Sequence, residues 1–155
     1  MSEPDPDRKA MIARQFIEAI PHSRELGMQL DEIGGGYAVV SMPWDARFVG
    51  DPKTGVIHGG AVSALMDTCC GAAVISAEKT PGVTATLDLR IDYMRPATPG
   101  QRIVARATCY HVTRSVAFVR AVAHDDDAET PVASAAGAFT AGAGEDRRPS
   151  TEALS

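Results

Sequence analysis

Residues 56–77 read VIHGGAVSALMDTCCGAAVISA, a stretch in which Asp67 is the one side chain certain to be charged at neutral pH. Removing a carboxylate from water costs several kcal/mol unless partners satisfy it. Asp67 therefore either belongs to a structural hydrogen-bond network, with Ser63 and Thr68 as near neighbours, or works as a base or nucleophile. Nine positions upstream, His58-Gly59-Gly60 opens the helix that this stretch predicts. The first N–H groups of a helix lack intrahelical acceptors and lie at the positive end of its dipole. Glycine there lets a ligand carbonyl approach the backbone, so the turn could hold a developing oxyanion. The bland alternative is an ordinary loop-to-helix turn, which glycine pairs also mark. Asp67 lies eight residues beyond Gly59, about 12 Å along a helix axis. One chain cannot bring both groups to one carbonyl. If they serve one reaction, Gly59 comes from one subunit and Asp67 from another, so the chemistry predicts a homodimer.

Other reactive arrangements are weaker. Cys70 with His58 suggests a cysteine hydrolase, but a mid-helix thiol in apolar surroundings is a poor nucleophile. His22, His58, His111 and His124 show no metal-ligand spacing, and Asp125-Asp126-Asp127 reads as a solvated hairpin turn. There is neither a phosphate loop nor a GxGxxG fingerprint, and no cofactor is expected. A net charge of −5 argues against nucleic acid or an anionic membrane surface as partner. The composition of 56–77 gives a small-residue helix too weakly hydrophobic for a membrane span. The lead has no apolar signal region, and the three cysteines form no disulfide framework; both point to the cytoplasm.

The elements that must position these groups follow from periodicity. Arg8 to Ile20 places Met11, Ile12, Phe16, Ile17 and Ile20 at helical spacing, and Pro21 stops the pattern. Extended runs at Met28–Ile33 and Tyr37–Met42 flank Gly34-Gly35-Gly36, a hairpin connection, and Trp44 to Gly55 reads as loop. A soluble helix apolar nearly all round must be buried nearly all round, which makes 56–77 the central element. Thr86 to Tyr93 alternates Leu87, Leu89, Ile91 and Tyr93 with polar residues, a strand; Ile103–His111, Ser115–His124 and Val132–Thr140 follow. One buried helix beside an antiparallel meander satisfies the layer rule if the sheet curls around it, an α+β hot-dog fold. The domain spans 8–141, with a lead at 1–7 and a tail at 142–155 expected to be disordered. Exposed sheet edges again favour a homodimer, with a homotetramer open.

GVIHGGAVSALMDTCCGAAV followed by TATLDLRIDYMRPA resembles the phenylacetic-acid-degradation (PaaI-like) thioesterases of the 4-hydroxybenzoyl-CoA thioesterase superfamily, over most of residues 35–141. The resemblance implies hydrolysis of an acyl-CoA or aryl-acyl-CoA, with Asp67 as general base or nucleophile. It implies that the Gly59 N–H, followed by Gly60, polarises the thioester carbonyl while His58 positions the substrate. Asp51 falls near a family site position, and Thr86, or less well Thr84, where relatives hold the attacking water. Arg95, Arg114 and Ser115 stand where the family binds CoA phosphates, although solvated arginines read the same way. Met66, Leu65 and Phe48 suggest an apolar acyl pocket. A hydratase of the same fold lacks its expected His and acid arrangement around His58. From another class, a non-catalytic acyl-CoA-binding module would use the helix N-terminus without an attacking group, which leaves Asp67 unexplained.

Overall fold

The computed structural model describes residues 6–78, 80 and 83–142. Its elements are α1 (Pro6–Ala19), α2 (Pro21–Glu25), β1 (Gln29–Gly34), β2 (Tyr37–Met42), a 3₁₀ turn (Ala46–Phe48), β3 (Val49–Asp51), β4 (Val56–Ile57), α3 (Gly59–Ser76), β5 (Thr86–Tyr93), β6 (Ile103–Val112), β7 (Val116–His124) and β8 (Ala133–Thr140). Apart from Pro6, Asp7 and Gly142, the expected tails lie outside the described residues.

The apolar run becomes the 18-residue α3 because it holds no proline and buries most of its surface against the sheet, which outweighs the modest helix propensity of its glycines, serines and β-branched residues. Six strands curl around it as an antiparallel sheet in the order β1-β2-β6-β7-β8-β5, while β3 and β4 form a separate ribbon. This is the α+β hot-dog fold. The sheet's concave face is built from alternate residues that are largely alanine: Ala38, Ala105, Ala107, Ala117, Ala121, Ala123, Ala133 and Ala135 are all buried. Such a floor lets the helix backbone come close, and Met42, Ile103, Val119 and Phe139 fill the remaining space around Leu65, Met66 and Val74. Each of those large side chains stabilises the fold by roughly 1.5–3 kcal/mol through burial.

Several expectations change. By length and composition α3 is apolar enough to cross a membrane, contrary to the sequence reading, yet most of it is buried against the sheet. Pro21 ends α1 as expected, but its fixed φ also suits a first helical position, so a second short helix starts there. The expected loop contains β3, which pairs with β4 just beyond it. Among the described side chains of α1 only Ala13 and Ile17 are fully buried; Met11, Ile12 and Phe16 are exposed, because the helix meets β1 and α3 through a narrow face. The hairpin at Gly35 (φ +57°) and Gly36 (φ +85°) is as read, and the Gly36 N–H donates to Ser76 Oγ at 3.0 Å, tying the turn to the end of α3.

The acidic run is the clearest correction. Asp125 is not a solvated turn residue: its side chain is 1% exposed. Arg95 Nη1 and Nη2 each donate to it at 2.7 Å, joined by the Thr98 N–H at 3.0 Å, the Thr98 hydroxyl at 2.9 Å and the Asp127 N–H at 3.1 Å. Arg95 also donates to Thr130 O and Pro96 O. This knot ties the segment after β5 to the β7–β8 connection. The Arg95 guanidinium foremost holds the Asp125 carboxyl well below the usual carboxylate range. Its folded-state value is depressed, so its stabilisation is fully present above about pH 4 and is lost as pH falls further. Asp125→Ala leaves the half-buried Arg95 guanidinium without its carboxylate and is expected to lower the midpoint of urea denaturation at pH 7. The loss should shrink in acid below about pH 4, where the unfolded chain's Asp125 takes up a proton that the folded carboxyl accepts only at still lower pH.

Candidate active site

The β3–β4 ribbon delivers His58 to the head of α3, with the His58 N–H donating to Phe48 O at 2.8 Å. His58 is the N-cap: its Nδ1 accepts the Gly60 N–H at 2.8 Å and satisfies one orphan donor of the first turn. Glycine is needed at position 60, since a Cβ there would lie 2.8 Å from His58 Nδ1. The Gly59 carbonyl accepts from Tyr93 Oη at 2.8 Å and from Ser63 Oγ at 3.1 Å, and the two hydroxyls also touch each other.

At the other end of β5, the Thr86 hydroxyl donates to Asp67 Oδ1 at 2.7 Å. No hydrogen bond among the described residues engages Asp67 Oδ2. Strand β5 thus flanks α3, with Thr86 at the carboxylate and Tyr93 at the helix N-terminus. The helix is not covered all round: Gly60 is exposed, and Ser63, Ala64, Asp67 and Thr68 are half-buried, a stripe at helical spacing. Asp67 stands on that stripe because the sheet ends at β5 and reaches no further around the helix.

Of the sequence candidates, His58, Gly59 and Gly60 meet at one end, and Asp67 and Thr86 at the other. Thr84 Oγ1 donates to Thr140 O at 2.7 Å and fastens β5 to β8. Asp51 accepts from the Thr54 hydroxyl at 2.8 Å and the Lys53 N–H at 3.0 Å, capping its own turn. Arg114 and Ser115 lie exposed on the β6–β7 hairpin, whose Val116 pairs with Thr140 beside the Thr86 end of β5. Arg95 stands at the Tyr93 end with its guanidinium committed to Asp125 and Thr130. Leu65 and Met66 are core residues at 0% exposure. The apolar recess is elsewhere: a cavity of about 390 Å³ between Gly59, Val56, Ile57, Val62, Tyr93 and Met94.

Sequence reasoning read Tyr93 only as a strand residue and missed its contact with Gly59. Its place at the end of the alternating run was visible, but nothing local linked it to a glycine 34 residues earlier. Burial pushes the Cys69 thiol up to about 12 and raises that of Cys70 further, which makes neither a nucleophile. Among the described residues no group of three or more His, Cys, Asp or Glu is placed to hold a metal ion. The arrangement therefore offers a half-exposed carboxylate oriented by a hydroxyl, and an open helix N-terminus beside an apolar recess.

A family model described as the thioesterase superfamily matches residues 54–132. The chain is 25% identical over 145 residues to the medium/long-chain acyl-CoA thioesterase YigI of Escherichia coli (strain K12), covering 85% of this chain and 92% of that one. A solved protein from Pseudomonas aeruginosa is 38% identical with a TM-score of 0.76, covering 85% of this chain and 98% of its own. A variant of the phenylacetic acid degradation protein PaaI from Thermus thermophilus is 29% identical with a TM-score of 0.69, covering 78% and 98%.

Proposed function

Since the chain belongs to the thioesterase superfamily, we propose that it hydrolyses acyl-CoA thioesters in a homodimer whose active sites lie across the subunit interface. The observation that carries this reading is the Thr86–Asp67 hydrogen bond, which fixes one carboxylate oxygen and leaves Oδ2 to accept a proton from water. Asp67 then acts as general base. The water oxygen bonds to the thioester carbon, the C–S bond breaks, and the proton passes through Asp67 to the departing CoA sulfur. The Gly59 N–H of the partner subunit, at the positive end of α3, stabilises the tetrahedral oxyanion.

The placement of β5 supports the shared site. It is an edge strand whose Leu87 and Tyr93, with Met94 just beyond it, are 56%, 50% and 58% exposed, an apolar edge that calls for a partner. Antiparallel pairing of two β5 strands about their midpoint sets the Thr86 end of one against the Tyr93 end of the other. Asp67 of one subunit then approaches the Gly59 turn of its partner, the arrangement that the helical spacing requires. The recess beside Gly59 receives an apolar acyl group, in keeping with the medium/long-chain specificity in YigI's name. For the CoA phosphates we favour Arg114, whose guanidinium has no partner among the described residues, over Arg95, whose donors are engaged.

Asp67→Asn should lower kcat on acyl-CoA by about 10³-fold with the dimer intact in sedimentation; wild-type turnover in this variant would rule out the base. Gly59→Pro removes one N–H at a helical position where proline is tolerated. Mixing Gly59→Pro chains with Asp67→Ala chains under subunit exchange is expected to restore up to about a quarter of wild-type activity, because a heterodimer carries one intact site and random pairing makes half the dimers mixed. No recovery despite proven exchange would place both groups in one subunit. Arg114→Gln should raise KM for acyl-CoA several-fold yet leave KM for the matching acyl-pantetheine unchanged.

A further inference from the structure

Tyr93 is the best-connected side chain at the head of α3 that the catalytic scheme leaves unused. Its ring lies along Gly59, 3.4–3.6 Å from where a Cβ would stand, and its hydroxyl donates to the Gly59 carbonyl at 2.8 Å. That carbonyl shares a peptide plane with the Gly60 N–H, which donates to His58 Nδ1 at 2.8 Å. A backbone N–H can only donate, so Nδ1 is the accepting nitrogen and the ring proton of the neutral imidazole sits on Nε2. His58 is exposed at the helix N-terminus, and its Nε2–H has no partner among the described residues.

We infer that Tyr93 is a positioning residue for hydrolysis: through the Gly59–Gly60 peptide it holds His58 in the Nε2–H tautomer and fixes the carbonyl-binding turn against β5. The chain of donors runs one way, from the Tyr93 hydroxyl to the Gly59 oxygen and from the Gly60 N–H to His58 Nδ1. Each bond polarises the next, because a peptide whose oxygen accepts a strong hydrogen bond donates more strongly through its N–H. Ser63 reinforces the chain. Its hydroxyl meets both the Gly59 oxygen and Tyr93, and two hydroxyl protons serve three contacts. The same bond joins the oxyanion-binding turn to the strand that begins at Thr86, so the distance between donor and base across a β5-paired dimer is set through Tyr93. Loss of the hydroxyl keeps the ring packing but leaves Ser63 as the one side chain on the Gly59 oxygen among the described residues, which loosens the hold on the peptide.

This inference rests on the thioesterase reading for its kinetic arm but has a substrate-free arm. In Tyr93→Phe, kcat on acyl-CoA is expected to fall about tenfold, with KM, melting temperature and dimer mass unchanged. In a His58→Ala background the same substitution should have a much smaller effect, since the two act through one path. Imidazole nitrogen NMR of the free wild-type protein at neutral pH should show His58 as a single Nε2–H tautomer, and Tyr93→Phe should show a mixture. A tautomer signature unchanged by Tyr93→Phe, or fully additive losses in the double variant, would overturn the inference. Failure of wild-type protein to hydrolyse any acyl-CoA would sink the thioesterase reading instead, with the NMR comparison still deciding the relay.

Discussion

Everything in this fold is arranged around the burial of one nearly charge-free helix against a sheet floored with alanine. The helix supplies Leu65, Met66 and Val74, and the small side chains opposite let it settle close enough for the strands to curl around it. Closure is incomplete. A six-stranded sheet covers one side of an 18-residue helix and stops at β5, leaving a stripe from Gly60 to Asp67 exposed or half-buried.

That unfinished cover turns a packing problem into a site. A carboxylate could not stand on the covered side without a full set of partners, but on the open stripe Asp67 keeps solvent on one oxygen and Thr86 on the other. The same geometry leaves the first turn of α3 open, with His58 folded back as its cap. The two ends cannot meet within one chain, because the helix holds them apart as rigidly as it holds itself together. Two-fold pairing along β5 would bring them together and cover an apolar edge in the same step.

Stiffness around the site comes from polar ties buried or half-buried at its margins. The Arg95–Asp125 knot anchors the chain just after Tyr93, and the Thr84–Thr140 bond anchors it just before Thr86. Both ends of β5 are thereby fixed to β7, β8 and their connections, although the strand itself is largely exposed. An edge strand held at both ends can carry catalytic geometry without being buried.

How much of this was readable from the chain depends on the range over which each feature is encoded. The helix, its lone carboxylate, the glycine turn and the alternating strand are local in type and period, so the amino-acid order was enough to specify the hot-dog arrangement and the spacing that separates Gly59 from Asp67. The same order misled where one residue type suits two environments: Asp125 looked like a solvent-facing turn, Arg95 like a free cation, and Met11, Ile12 and Phe16 like a buried helical face. Tertiary structure alone decided the pairs Thr86–Asp67, Tyr93–Gly59 and Arg95–Asp125, which lie 19, 34 and 30 residues apart. Their meeting is set by strand register and by how far the sheet wraps around α3, and those are properties of the assembled layers, beyond the reach of any local pattern.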